Sequence, residues 1–297
     1  MASADVVGAL QARDYKLTDR LLFEAGATTV TVAERSSGFG VAVKLIQKGL
    51  LRKKEEENEA REEMRLHEQL RHPAVLPLLF SEETPAGFLL VSPLAVGNLY
   101  DATRFAAICE ADSRRLAEHL LHAMVYLHDL EILHNDLKPH NVLMVKRGET
   151  QLPQLADFGM SLRLPSSGLV PFTGLKGSSG YYSPEEMAEK SYGAQADVFS
   201  LGVMIFEVLA GYEPFCPKHT FFEPVEIDDE CWEGVTPPAL ELVTEMLRVD
   251  PAKRWTAKQA LDSPWFKGTG GAAAGMPPRL VLRIADFIDD DLFLFEN

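Results

Sequence analysis

Cysteine is scarce in this chain: Cys109, Cys216 and Cys231 are the only three in 297 residues, and no two form a Cys-x-x-Cys pair or a metal-ligand spacing. That rules against a disulfide framework, and reduced thiols in a cytoplasmic protein are the expectation, with nuclear access left open. Basic residues are also short, 29 Lys and Arg against 44 Asp and Glu, for a net charge of -15. Such a balance argues against partnership with nucleic acid or an anionic membrane and accounts for solubility. No uninterrupted apolar run approaches the ~18 residues of a membrane span. The opening Met1-Ala2-Ser3-Ala4-Asp5 has neither the basic and apolar regions of a signal peptide nor the glycine that myristoylation needs. No internal repeat is visible. What is present is ordinary globular composition, 46% hydrophobic and 25% charged, in a chain long enough for one large domain or two modest ones.

The pattern changes character along the chain. Residues 20 to 47 read as strands: Thr28 to Ala33 is rich in β-branched residues, and Val41 to Ile46 is a second apolar run behind Gly38 and Gly40. Residues 50 to 71, dense in Lys, Glu and Arg, read as a helix with Ala60, Glu63, Met64, His67 and Leu70 on its inward face. Leu76 to Leu79 and Phe88 to Val91 read as two short strands. Beyond Pro93 the periodicity turns helical, at Ser113 to Leu130, Val198 to Leu209 and Leu240 to Leu247. A strand-rich front third and a helix-rich remainder predict an α+β fold of two lobes with a cleft between them. From Gly268 to Asn297 the composition shifts once more, opening with Gly and Ala and turning acidic and apolar through Asp289-Asp290-Asp291-Leu292-Phe293-Leu294-Phe295.

Residues with chemistry concentrate in His134-Asn135-Asp136-Leu137-Lys138-Pro139-His140-Asn141-Val142-Leu143, followed by Asp157-Phe158-Gly159. An acid, a lysine and an amide within six residues, with a second acid sixteen residues after the amide, suit a site that holds a hydroxyl, a metal and a phosphate chain together. Taken singly these residues carry little. Asp136 alone reads as a turn or cap residue, and Glu63 as one more solvated acid beside Glu55, Glu56, Glu57, Glu59 and Glu62. Order and spacing, sustained over about 240 residues, join them.

That ordered set resembles the eukaryotic protein kinases of serine/threonine type, nearest to the calcium/calmodulin-dependent group. The resemblance runs from Tyr15 to Lys267 and implies a two-lobed kinase domain. A small antiparallel-sheet lobe with one main helix would span 15–92, a larger helical lobe 93–267, and a tail 268–297. By the same resemblance, Lys44, held by Glu63, would reach the α- and β-phosphates of ATP. Val30, Ala42 and Leu143 would sandwich adenine, Val91 would guard the back of the pocket, and Ser92 and Leu94 would bond the base through their backbone. Asp136 would accept the proton of the substrate hydroxyl, Lys138 would neutralise the transferring group, and Asn141 and Asp157 would hold magnesium. Ser183-Pro184-Glu185, Asp197 and Arg254 match residues that hold the helical lobe together in the family, Arg254 pairing with Glu185. The implied activity is transfer of the γ-phosphoryl of ATP to Ser or Thr hydroxyls of a protein substrate.

Two departures stand out. The family covers the phosphates with Gly-x-Gly-x-x-Gly-x-Val, whereas this chain has Phe23-Glu24-Ala25-Gly26-Ala27-Thr28-Thr29-Val30, which predicts a weaker hold on ATP or an unusual loop. Asn135 stands where the family carries the arginine that pairs with a phosphorylated activation loop, so phosphorylation of Thr173, Ser166 or Ser167 is expected to matter less. Ser178 matches a hydroxyl beside the catalytic acid. Asn98 and His140 stand where relatives that select basic peptides carry acids, leaving Glu207 and Glu213 as possible contacts. A pseudokinase that binds nucleotide or scaffolds is the alternative, and a small-molecule kinase of the same fold a third. The tail reads either as a frayed end or as a segment that docks in cis or in trans.

Overall fold

The computed structural model describes residues 3–103, 108–147, 150–215, 222–225, 227, 232 and 234–267. Cys216, Cys231 and the 268–297 tail lie outside the described residues. The chain divides into two compact units, one up to Gly97 and one from Asn98.

The first unit is an antiparallel sheet with a helix on each face. Helix α1 (Ala4–Gln11) precedes β1 (Tyr15–Ala25), β2 (Thr28–Arg35), β3 (Gly40–Gln47), helix α2 (Lys54–Gln69), β4 (Phe80–Glu83) and β5 (Gly87–Pro93). The strands lie in the order β1-β2-β3-β5-β4. The two-residue side-chain period of a strand sorts the faces. On one face Ile46, Phe88 and Leu90 pack with Ala60 and Met64 of α2. On the other, Ala33, Val41, Val43, Leu89 and Val91 pack with Val6, Ala9 and Leu10 of α1.

Two sequence expectations shift here. The apolar run Leu76 to Leu79 is not a strand, and the strand begins at Phe80. Pro77 within the run has no N–H for a ladder, which favours a start beyond it. Val91 belongs to the core beneath α1, paired with Val43 and away from the Lys44 face, so it does not stand at the back of a pocket lined by Lys44. Helix α1 was not expected: it is eight residues long, contains Gly8, and is held by burial of Val6, Ala9 and Leu10 rather than by propensity.

In α2, the acids Glu55, Glu56 and Glu57 occupy the first turn, where the helix dipole favours negative charge. The buried face is Ala60, Glu63, Met64, Leu66 and His67, and His67 Nε2 lies 2.7 Å from the Leu76 carbonyl oxygen. The helix ends just before Leu70, ahead of the His72-Pro73 step that disfavours helical backbone.

A short strand, β6 (Ala95–Asn98), runs across the junction of the two units in the chain. The second unit is mainly helical, with α3 (Leu99–Thr103), α4 (Glu110–Asp129), α5 (Pro184–Met187), α6 (Ala194–Ala210), α7 (Pro237–Met246), α8 (Ala257–Leu261) and α9 (Pro264–Lys267). Between α4 and α5 come β7 (Ile132–Leu133), the hairpin β8 (Val142–Arg147) and β9 (Thr150–Leu155), and β10 (Leu162–Arg163), which pairs with β7. Helix α6 is apolar nearly all round and buried along its length, which makes it the axis of this unit. A Cβ on Gly202 would come within 3.0 Å of Met246 Cβ, so glycine lets α7 approach closely. Gly211, at a φ of 78°, ends α6 in the left-handed conformation. The fold is α+β, an antiparallel-sheet unit with one main helix and a larger helical unit. No described helix is long and apolar enough to cross a membrane.

Candidate functional site

The segment from His134 to Asn141 hangs on one buried carboxylate. Asp197, in the first turn of α6, is 2% exposed. Its Oδ2 accepts the His134 backbone N–H at 2.8 Å and faces His128 Nε2 at 3.1 Å, while its Oδ1 accepts the Asn135 N–H at 2.9 Å. Burial alone would push the Asp197 pKa up. The His128 hydrogen bond and charge, the His134 charge and the Asn135 N–H outweigh it and hold the pKa below the ordinary range. Asn135 takes a left-handed φ of 67°, which asparagine tolerates better than most residues. Its side chain is buried beside the Tyr192 hydroxyl.

Asp136, Lys138, Asn141 and Ser178 form one cluster. Asn141 Nδ2 donates to the Asp136 carbonyl at 2.8 Å and to Asp136 Oδ2 at 3.0 Å. Lys138 Nζ is 3.0 Å from the same Oδ2 and 2.6 Å from Ser178 Oγ, and Ser178 donates to Asp136 Oδ1 at 2.8 Å. The acid is thus fixed on both oxygens, an aim that hydrogen bonds to neighbouring side chains provide. Gly177 makes room for it. A Cβ there would sit 2.7 Å from the Asn135 carbonyl oxygen, and its φ of 106° is foreign to other residues. A cavity of about 10 Å³ among Asn135, Asp136, Tyr181, Glu186 and Asp197 has room for one water and not for a phosphoryl group.

Asp157 follows β9 with a φ of 62° and an exposed side chain, and its Oδ1 accepts the Gly159 N–H at 3.4 Å. The adjoining Phe158 is 1% exposed and meets the His134 ring edge-on at 5.1 Å. His134 Nε2 lies 3.1 Å from the Ala156 carbonyl, and the Ala156 N–H donates to the Asn141 carbonyl at 2.8 Å. These bonds tie the strand carrying Asp157 to the loop carrying Asn141. With Asn141 Nδ2 committed to Asp136, its Oδ1 remains as an acceptor. One amide oxygen and one carboxylate are hard donors suited to magnesium, an ion that draws its other ligands from phosphates and water. No described cluster of three or more His, Cys, Asp or Glu forms a complete metal cage.

In the first unit, Lys44 Nζ and Glu63 Oε1 are 2.7 Å apart, with Glu63 6% exposed. The strand register puts Val30 and Leu90 opposite Lys44, and Val32 and Ser92 opposite Ala42. Val30, Ala42, Lys44 and Ser92 therefore share one face, the face that α2 packs against. Leu94 lies against Gly40, where a Cβ would meet its Cδ2 at 3.1 Å. Leu143, on β8, belongs to the second unit. The phosphate-loop segment is a tight hairpin: Ala25 pairs with Thr28, Gly26 has a φ of 56°, and Glu24 points into solvent.

Around these groups lie supports. Arg254 grips Glu185 with both guanidinium nitrogens, at 2.7 and 2.9 Å, in a pair that is essentially fully buried. Ser183 caps α5, and Glu186 returns a carboxylate to the Ser183 N–H at 2.9 Å. Burial lifts Glu186 to a pKa of about 7, with the Ser183 hydrogen bonds opposing and the charges of Asp197 and Glu185 adding. Glu207 is likewise at about 7, raised by burial and by Glu213 against the pull of the Tyr181 hydroxyl, which donates to it at 2.9 Å. Asn98 is buried and caps the Asp101 N–H at 2.9 Å, and the His140 ring stacks on Tyr100 at 4.1 Å. The roles of His128, Tyr181 and Glu186 escaped sequence reasoning. Only Glu186 left a local signal, the Ser-x-x-Glu spacing of a capping box.

The family model described as "Protein kinase domain" matches residues 25–266. Among similar proteins, calcium/calmodulin-dependent protein kinase type 1 of Macrobrachium nipponense is 32% identical over 241 residues, covering 78% of this chain and 68% of that protein. Calcium/calmodulin-dependent protein kinase cmkA of Emericella nidulans is 31% identical, covering 96% of this chain and 72% of that protein. Calcium/calmodulin-dependent protein kinase type 1B of Homo sapiens is 32% identical over 263 residues, covering 86% and 75%.

Proposed function

This chain belongs to the eukaryotic protein kinase family, serine/threonine type, in the neighbourhood of the calcium/calmodulin-dependent group, and from that premise we propose that it is an active, atypically controlled kinase. It transfers the γ-phosphoryl of ATP to Ser or Thr hydroxyls of protein substrates, in a cytoplasmic setting. The observation that carries this reading is the closed cluster of Asp136, Lys138, Asn141 and Ser178, in which every group is oriented by another.

In this mechanism Asp136 receives the substrate hydroxyl at the oxygens that Asn141 and Ser178 aim, and accepts its proton. Lys138, 3.0 Å from Asp136, offsets the charge of the transferring group. Lys44 reaches the α- and β-phosphates while Glu63 holds its ammonium in place. Val30 and Ala42 of the first unit and Leu143 of the second are the apolar residues assigned to the base, with Ser92 and Leu94 assigned to bond it through a carbonyl and an amide. Asn141 and Asp157 would hold magnesium, which when bound would offset phosphate charge. Positioning and electrostatics supply most of the catalysis, because phosphoryl transfer asks little covalent chemistry of the protein.

Control differs from that of a switchable kinase. Asn135 carries no charge to pair with a phosphorylated Thr173, Ser166 or Ser167, and the cavity beside it admits a water but no phosphate. The Asn135 N–H donates to Asp197, a tie on the loop that involves no activation-loop phosphate. The hairpin lacks the glycines that let backbone N–H groups approach phosphates, which favours a weaker hold on ATP. The pseudokinase reading rests on these same two departures. Incubating the full chain with ATP, magnesium and a mixed protein substrate tests the proposal. Phosphoserine and phosphothreonine are expected, and their absence from wild type and Asp136→Asn alike, with nucleotide still bound, would favour the pseudokinase.

A further inference from the structure

We propose that the acidic, aromatic end of this chain, Asp289 to Glu296, docks in cis on the α1 face of the first unit, at an arginine-walled cavity. The cavity holds about 350 Å³ and is lined by Arg13, Tyr15, Arg35, Phe39, Leu79 and Phe80. Its wall is a stack of four groups. The Tyr15 and Phe80 rings stack at 6.0 Å. The Arg35 guanidinium carbon lies 4.6 Å from the Tyr15 ring, and that of Arg13 lies 4.3 Å from the Phe80 ring. A guanidinium resting its face on a ring keeps its N–H groups at the edge, where a carboxylate can meet them. Arg13 gives part of that edge to Glu82 at 2.9 Å and to the Ala9 carbonyl at 3.0 Å. Arg35 forms no ion pair with a described residue, and it faces the cavity with its charge unanswered. At the rim, Phe39 and Leu79 are 52% and 43% exposed, two large apolar side chains beside two cations. A ligand for this place needs carboxylates next to bulky apolar groups.

The last residues of the chain have that chemistry. Residues 284–297 contain Asp286, Asp289, Asp290, Asp291 and Glu296 and no Lys or Arg. Leu292, Phe293, Leu294 and Phe295 follow directly on the three aspartates. In an extended run Phe293 and Phe295 project to the same side, which suits the Phe39 and Leu79 rim while the aspartates reach the arginines. The 21 residues 268–288 separate Lys267 from this segment and can span roughly 70 Å when extended.

Hydrogen–deuterium exchange on the full chain tests the proposal, comparing wild type with Phe293→Ser/Phe295→Ser. These substitutions lie outside the described residues, and the melting temperature of the variant, measured beside wild type, separates a docking effect from a loss of folding. Exchange over residues 35–41 and 79–83 is expected to be several-fold slower in wild type than in the variant, equally so at low and high protein concentration. Arg35→Glu should abolish the difference, and adding Asp290→Arg to it should restore part. Equal exchange in wild type and variant would overturn the proposal. Protection that appears only at high concentration, with a dimer mass, would also overturn it and point to a second copy. The readout does not involve phosphoryl transfer, so its failure would leave the proposed activity untouched.

Discussion

Between His128 and Asp197 the polar side chains of the candidate site hold one another, whereas the hairpin from Phe23 to Val30 is held by strand pairing and directs Glu24 to solvent. The first region is over-determined. Asp136 is fixed on both oxygens, and the loop bearing it is bonded to Asp197 through two consecutive backbone N–H groups. The second has departed from its family's glycines without losing its hairpin, because this two-residue turn has its one positive φ at Gly26. A network of buried polar groups tolerates little change, since each removed member leaves others unpaired. A solvent-facing hairpin loses affinity by small steps. In the proposed mechanism, proton abstraction and charge neutralisation fall to the first region, and the second contributes only to the grip on nucleotide.

The largest expected effect is in the network. Asp136→Asn keeps the shape and removes the base, so kcat should fall about a hundred- to ten-thousand-fold with nucleotide binding kept, as steady-state kinetics and nucleotide titration would show. A smaller loss would mean that Asp136 is not the base. Next comes the anchor. Arg254→Ala leaves the Glu185 carboxylate buried and unpaired, and urea denaturation should show a loss of about 3–5 kcal/mol.

Glu207 gives a pH-dependent test. Its pKa in the folded chain is about 7, above the ordinary 4.5, so the folded state holds the proton longer than the unfolded state. Stability therefore falls as pH rises from about 4.5 to about 7 and levels off above that, by up to about 1 kcal/mol per pH unit from this group. Glu207→Gln should flatten that part of the profile, with Glu186 supplying a similar fall that remains. The smallest effect belongs to the hairpin. Ala25→Gly/Thr28→Gly restores two family glycines and should lower KM for ATP several-fold while costing about 0.5–1 kcal/mol of stability per glycine in the strand ends. A KM that does not move would mean the hairpin plays no part in holding nucleotide.

Much of this was legible in the chain, and the failures have physical causes. Glu63 stands apart from the neighbouring acids by its place nine residues before His72-Pro73, which matches the family, and by sharing a face with Ala60, Met64 and His67, and that face is the buried one. The Arg254 to Glu185 pairing, 69 residues apart, follows from the family resemblance and not from any local spacing. Helix α1 left no periodic signal over eight residues, because it exists by packing on the sheet. The Leu76 to Leu79 run looked like a strand by composition, but its proline moved the ladder onward to Phe80. Val91 was assigned by position in a motif, yet one step of strand register decides which face a side chain takes. Tyr181 with Glu207, and His128 with Asp197, are long-range pairs with no local spacing to betray them.

The most direct test of the central claim is the rate of magnesium-dependent transfer from ATP to a protein substrate by the full chain after exhaustive phosphatase treatment, beside Asp136→Asn. The account predicts that treated wild type transfers phosphate as fast as untreated wild type, and that Asp136→Asn is nearly silent. Treated wild type as silent as Asp136→Asn would contradict it.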